Sequence, residues 1–421
     1  MVSEPQLAQL VSWIVEAGLT GQTEATLLKG FCERVRAAGI PVDRVNVFID
    51  TLHPVHEGRL FAWTSSASIQ PEKPYGRSSR FIPKPGNEAD ADRWRKSPFP
   101  NDMWRQSPFF RLREDGASLL RRRLLPSTLT EFGIFPELHD EGHTDYIAIV
   151  NYFAEAGSIA DMDCLYSSWT TKSFDGYADE HVTALQRLLP FLALAIKSVS
   201  LARMTETLMQ TYLGNDAARR VLNGGIMRGV SDTIDAVVWF SDLRGFTRIT
   251  DTMPQHVIPL LSEYADAVVS AIHEHGGDVL KFVGDGTLAI FTGEDRRHAC
   301  AAALDASITA QGSIRVVNER RAAEGLPVTD MYLGLHVGEM FYGNIGSEDR
   351  LDFTVIGPAV NEVSRIAAMC RSIEQPVLIS SAFADVGNNK GRLVSVGRYA
   401  LRGVGRPQEL FALDPDVLAQ A

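Results

Sequence analysis

Residues 278–291 read DVLKFVGDGTLAIF. Two apolar runs, Val279–Val283 and Thr287–Phe291, flank a Gly284-Asp285-Gly286 turn, the pattern of two short strands joined tightly. Such a turn presents the Asp285 carboxylate outward. An Asp-Gly pair is an ordinary hairpin signal, so Asp285 gains chemical meaning only from what surrounds it.

Upstream, VVWFSDLRGFT (237–247) places Asp242 just past an apolar strand and beside a glycine turn. Alone, an aspartate at a strand end is a helix cap or turn former. With Asp285 it supplies two carboxylates on neighbouring strand ends, the arrangement needed to hold two divalent cations over a triphosphate. Hard oxygen ligands imply Mg²⁺ or Mn²⁺. From Ala236 onward the periodicity predicts a strand, a helix over about 255–275, the strand pair above, a helix over about 296–323, then strands and a further helix near Val360. This βαββαβ-like order predicts a ferredoxin-like core within an α+β fold.

Two more segments add chemistry. LDFTVIGPAVNEVSRIAAM (351–369) puts Asn361 and Arg365 four apart, on one face of the helix near Val360. YALRGVGRPQELFAL (399–413) sets Arg402 beside glycines, where a basic side chain can reach a phosphate.

FSDLRGFT, LKFVGDG, GLHVGEMFYGNIGS and DFTVIGPAVNEVSR, taken together and in this order, resemble the motifs of the class III adenylate and guanylate cyclases across about residues 232–414. The resemblance implies a role at each matching position. Asp242 and Asp285, with the Leu243 backbone, would ligate two metal ions. Amides around Leu243 to Phe246, Gly245 included, would cradle phosphate. Arg365 would stabilise charge at the α-phosphorus and Asn361 would orient the ribose. Arg402 stands where relatives carry a phosphate-binding lysine. Lys281 and Thr354 would read the base. Lysine goes with adenine, whose N1 accepts a hydrogen bond, whereas guanylate cyclases place glutamate there. The implied activity is adenylate cyclase, a lyase converting ATP to 3′,5′-cyclic AMP and pyrophosphate. The alternatives are a guanylate cyclase or a catalytically silent nucleotide-binding module. In relatives with this residue set, the metal aspartates and the base-reading residues come from different subunits, which implies a homodimer. The general base stays open among water, a ligand carboxylate and substrate phosphate. Tyr332 stands where some relatives have a basic residue.

The N-terminal half reads differently. Helical periodicity over the first 40 residues ends at Gly39 and Pro41, and RVNVFID (44–50) and LFAWT (60–64) follow as a strand pair. Residues 69–116 read as a long excursion from the sheet. Strands return at YIAIVNYF (146–153) and CLYSSWTT (164–171), and a helix is predicted over about 179–212. This order, ending in FDGYADEHVTALQRLLPFLALAI (174–196), resembles a GAF-type sensory domain; a PAS-like domain or an unrelated α+β dimerisation domain stays open. The expected organisation is a GAF-like regulatory domain over 1–200 taking an unidentified small-molecule or protein regulator, a helical coupling element over 201–231, and the cyclase domain over 232–414.

A net charge of -11 and a pI near 5.4 argue against a nucleic-acid partner. The apolar run Leu188–Ile196 is shorter than the roughly 20 residues of a membrane span, and MVSEPQ lacks a signal-peptide pattern. The expectation is therefore no membrane span and a cytoplasmic location. Cys32, Cys164, Cys300 and Cys370 have no metal-ligand spacing and are expected to be reduced thiols.

Overall fold

The computed structural model describes residues 2–53, 56–76, 104–153, 163–386, 391–402 and 407–419. The chain forms two compact units, residues 1–208 and 209–421.

The first unit is built on an antiparallel sheet of β1 (Arg44–Asp50), β2 (His56–Thr64), β3 (Ser68–Ile69), β4 (Lys73–Gly76), β5 (Leu119–Arg123), β6 (Asp145–Tyr152) and β7 (Cys164–Thr171). The strand order is β3-β2-β1-β7-β6-β5, with β4 on β2. Alternation along a strand sends successive side chains to opposite faces, and both faces are covered. Val45, Val47 and Ile49 of β1 join Leu165 and Trp169 of β7 in a core shared with the helices Glu4–Leu19, Glu24–Ala37 and Asp179–Leu213. Phe48, Cys164 and Tyr166 face the other way, into a cluster with Phe109, Leu112 and Phe135.

The expected excursion at 69–116 falls partly on residues 77–103, outside the described residues. Its described ends belong to the fold. β4 pairs with β2, and the helix Pro108–Glu114 buries Phe109 and Leu112. Two apolar residues one turn apart were too weak a periodic signal against the surrounding Pro, Arg and Ser. Arg121 and Arg122 of β5 are held by carboxylates. Arg121 donates to the buried Asp145 carboxylate at 2.9 Å and to Asp179 at 2.9 Å, and Arg122 donates to Glu131 at 2.7 Å.

The helix Asp179–Leu213 runs unbroken through Pro190. By length and composition alone it can cross a membrane, with a mean hydropathy of 1.4 over 18 residues. The shorter run in the sequence understated this, because apolar residues continue past Lys197. Leu185, Leu188, Leu189, Leu192 and Ile196 are nevertheless packed in the core of the first unit.

A buried polar network ties this helix to the sheet. Arg59, 5% exposed, lies 2.7 Å from Glu24, 2% exposed, and both bond Ser200. Arg203 bridges to Glu72 at 2.8 Å. Removing one member strands a buried charge, which costs about 3–5 kcal/mol. Glu24→Ala is accordingly expected to lower the unfolding free energy of the first unit by about that amount, measured by urea denaturation of the full chain.

The second unit carries β8 (Ser231–Leu243), β9 (Asp278–Val283), β10 (Gly286–Phe291), β11 (Met331–Gly346), β12 (Leu351–Ile356), β13 (Val377–Ser380), β14 (Leu393–Tyr399) and β15 (Gln408–Leu413). The order is β14-β15-β13-β11-β8-β10-β9, with β12 on β11. Its centre, β11-β8-β10-β9, is the βαββαβ arrangement. The crossover helices Val257–Glu274 and Arg296–Ala323 share one hydrophobic face with Val237, Trp239, Ala289 and Leu335. The opposite face is covered by the helices Asn215–Leu222 and Pro358–Ile373, against Val238, Leu288, Met340 and Val355.

The helix Asn215–Leu222 is fastened to β9 by the Asp278 carboxylate, which accepts from the amides of Asn215 at 3.1 Å and Asp216 at 3.3 Å. Gly214 before it has φ +83°, and a Cβ there would lie 2.3 Å from the Val279 carbonyl oxygen, so glycine alone passes. All four cysteines are buried and none is in a disulfide.

Candidate active site

Strand register explains why the two sequence-distant aspartates meet. β8 and β10 pair antiparallel with Thr287 opposite Ser241, so the β9–β10 turn that follows Val283 lies beside the end of β8. Asp285 Oδ2 accepts the Leu243 amide at 3.3 Å. The Asp242 acid group is pushed up to about 6, by partial withdrawal from water and by the Asp285 carboxyl with which it shares a hydrogen bond. The residue itself keeps solvent exposure, so the neighbouring like charge is the feature that a bound cation would relieve. Among the described residues no group of three or more His, Cys, Asp or Glu side chains is placed to hold a metal ion. Two carboxylates with room for phosphate oxygens and a backbone carbonyl fit hard cations that arrive with a polyphosphate. Asp242, Asp285 and the Leu243 carbonyl are the groups that would hold them.

The expected phosphate-cradling turn offers fewer free amides than the span 243–246 implied. The Leu243 amide serves Asp285, and the Arg244 amide donates to the Asp330 carbonyl at 2.8 Å. Gly245, at φ +67°, starts the short helix Phe246–Thr252. Arg244 lies 6.0 Å over the Tyr332 ring. A cation from the end of β8 thus stands next to Tyr332 of β11.

A second group forms around β9 and β12. Lys281 Nζ donates to Asp352 Oδ2 at 2.5 Å. Thr354, two residues further along β12 and so on the same face, is 5% exposed, and its hydroxyl oxygen is buried without a hydrogen-bond partner. Lys281 and Asp352 thus satisfy each other, while the Thr354 hydroxyl, on the same face of β12 as Asp352, stays unsatisfied. Asp352 was missed in the sequence, although period-2 spacing from Thr354 was a signal that could have found it.

The helix Pro358–Ile373 presents Asn361 and Arg365 on one side while Val363, Ile366, Ala367 and Cys370 bury the other. It comes close to β11 because Gly334 has no side chain; a Cβ there would lie 2.7 Å from the Val363 carbonyl. Neither the Asn361 nor the Arg365 side chain bonds another described residue. Arg402 is exposed and borders residues 403–406, which lie outside the described residues. No hydrogen bond or ion pair joins the Asp242–Asp285 pair to Lys281, Thr354, Asn361 or Arg365 among the described residues.

Residues 230–414 match the family model of the adenylate and guanylate cyclase catalytic domain. This stretch is a class III adenylate/guanylate cyclase catalytic domain. It is 33% identical over 159 residues to an adenylate cyclase of Anabaena cylindrica, a match covering 37% of this chain and 31% of that one. Among solved structures, the adenylyl cyclase CyaB from P. aeruginosa matches at 25% identity and a TM-score of 0.41, over 44% of this chain and 96% of that one. The guanylyl cyclase Cya2 matches at 28% identity and a TM-score of 0.39, over 44% and 93%. The chain spans about a third of the length of the curated relatives it matches. Both adenylyl and guanylyl cyclases occur among these names.

Proposed function

We propose that the protein is an adenylate cyclase that converts ATP to 3′,5′-cyclic AMP and pyrophosphate. The observation that carries this reading is the Asp242–Asp285 pair at adjoining strand ends, with Lys281, Asp352 and Thr354 arranged for adenine in the same domain. In the reaction the ribose 3′-oxygen forms a bond to the α-phosphorus, the bond from that phosphorus to the oxygen bridging to the β-phosphorus breaks, releasing pyrophosphate, and the 3′-hydroxyl proton passes to water, a ligand carboxylate or substrate phosphate. Two bound Mg²⁺ or Mn²⁺ ions would supply acidification of the 3′-hydroxyl and charge neutralisation on the phosphates. Lys281 donates to adenine N1, and Thr354 or Asp352 accepts from its amino group. Asn361 holds the ribose so that the 3′-oxygen lies in line, and Arg365 binds the charge that develops on the α-phosphoryl oxygens. Arg244 and Arg402 bind the terminal phosphates.

The carboxylate pair and the base-reading group are separate within one chain, which supports a homodimer in which each site draws one group from each copy. Mixing Asp285→Ala chains with Arg365→Ala chains, each inactive alone, is then expected to restore roughly a quarter of the original turnover, since half the dimers are mixed and each holds one intact site. Cyclic AMP formation after mixing checks this; no recovery in demonstrably mixed dimers would reject shared sites.

Residues 1–200 are proposed as a GAF-like regulatory domain for an unidentified small-molecule or protein ligand, supported by the antiparallel sheet flanked by entry and exit helices. Residues 201–231 would couple it to the cyclase domain of residues 232–414, supported by the Asp278 clamp on β9, three residues before Lys281. The proposed location is cytoplasmic.

A further inference from the structure

Building on the cyclase reading, in which Asp285 and the Leu243 carbonyl hold metal and the Gly245 amide holds phosphate, we propose that Thr329 is a positioning residue of that site. Its buried hydroxyl fastens Arg244 to the start of β11 and so keeps the Leu243 carbonyl and the Gly245 amide turned to the edge of β8 where Asp285 stands.

β8 ends at Leu243, with Met331 of β11 opposite it. One residue on, the Arg244 amide donates to the Asp330 carbonyl at 2.8 Å. A regular antiparallel ladder would close this pair with a second bond, from the Asp330 amide to the Arg244 carbonyl. Among the described residues that bond is not made. The Thr329 hydroxyl replaces it, donating to the Arg244 carbonyl at 2.6 Å. Both polar groups of the Arg244 backbone thus point at Thr329 and Asp330. The peptides on either side of Arg244 are trans and planar, so the carbonyl and the amide of each point in opposite directions. The Leu243 carbonyl and the Gly245 amide therefore face away from β11, toward β10 on the other edge of β8. The Leu243 amide points the same way, to Asp285 Oδ2 at 3.3 Å. Three groups of the site are aimed at one edge because Arg244 is held at the other.

Thr329 is itself fixed along its backbone. It is 7% exposed, and its amide donates to the Tyr264 hydroxyl at 2.9 Å. Tyr264, 1% exposed, donates in turn to Asn318 Oδ1, and the Asn318 side-chain amide returns to the Thr329 carbonyl at 2.8 Å. Just upstream, the buried Arg321 donates to the Pro327 carbonyl at 2.8 Å and pairs with Glu263 at 2.9 Å. Glu263 and Tyr264 belong to the helix Val257–Glu274, and Asn318 and Arg321 to the helix Arg296–Ala323. The two crossover helices therefore hold the segment 327–330, and Thr329 passes that fixed position on to Arg244. Its hydroxyl is the one side-chain link in this chain of bonds that touches the turn after β8, so removing it frees the Arg244 carbonyl while leaving the segment anchored.

Thr329→Val keeps the branched shape and removes the donor, whereas Thr329→Ser keeps the donor. Binding of the Mn²⁺ complex of inorganic tripolyphosphate to the full chain, followed by isothermal calorimetry, reads the site without turnover and without a base. It also gives affinity and number of sites separately. Thr329→Val is expected to weaken this binding by about fivefold at an unchanged number of sites, and to lower the kcat of cyclic nucleotide formation roughly tenfold through misplacement of the reacting groups. Thr329→Ser is expected to restore both to within about twofold. A folded Thr329→Val chain with unaltered affinity and turnover overturns the proposal. So does a loss of sites at unaltered affinity, which marks a damaged fold, or a Thr329→Ser chain as weak as Thr329→Val. If Thr329→Val does not fold, Tyr264→Phe decides: it loosens the Thr329 backbone, is expected to weaken the same binding by about twofold, and overturns the proposal if it leaves binding unaltered. An unmodified chain that binds the complex, loses affinity on Thr329→Val, and yet forms no cyclic nucleotide defeats the cyclase reading while the positioning role stands. No binding by the unmodified chain overturns the positioning role.

Discussion

Asp285→Ala is expected to cut cyclic nucleotide formation by roughly 10³-fold or more, since charge stabilisation on a transferring phosphoryl group is among the largest single contributions to such catalysis. The fold should survive. Asp285 sits on an incompletely buried turn and accepts one backbone hydrogen bond, from Leu243, worth about 1 kcal/mol. Its loss is partly offset by relief of the crowding that pushes Asp242 up to about 6. With the neighbour gone, the Asp242 carboxyl should move back toward the ordinary carboxylate range, readable by NMR titration. Turnover, thermal unfolding and that titration together separate a lost catalytic group from a damaged fold. Near-normal turnover in a folded variant would remove Asp285 from the site.

Lys281→Glu is expected to cost roughly 10²–10³-fold in kcat/KM for ATP, because a site built to hydrogen-bond a base is left with unpaired buried groups. A glutamate at this position alone is expected to give little guanylate cyclase activity. Asp352 lies 2.5 Å from the Lys281 ammonium, so the new carboxylate would face an existing one across the base-binding space, and the two would repel. Steady-state rates with ATP and with GTP check both halves of this prediction. Efficient GTP turnover by the single variant would mean that Asp352 does not face the base.

The cyclase half was legible in the sequence because its chemistry sits where local rules are strong. Gly284-Asp285-Gly286 is a two-strand turn signal, and the apolar run ending at Phe240 marks a strand, so Asp242 and Asp285 could be placed before their register was known, although the strand runs on past Asp242 to Leu243. The helix bearing Asn361 and Arg365 was expected near Val360, and the structure starts it at Pro358. Pairings between strands were not legible. The Lys281–Asp352 contact joins residues 71 apart, and Arg244 reaches Tyr332 only because β8 and β11 pair with Asp242 opposite Tyr332. The N-terminal half offered fewer local signals. Glu24, Arg59 and Ser200 are ordinary polar residues until tertiary packing buries them together.

The most direct test of the central claim is turnover of ATP and, separately, GTP by the full chain with Mg²⁺ or Mn²⁺, following cyclic product and pyrophosphate. The account predicts cyclic AMP and pyrophosphate in equal amounts, with kcat/KM for ATP exceeding that for GTP by about tenfold or more. Cyclic GMP in excess, or neither product with either metal despite bound nucleotide, would contradict it.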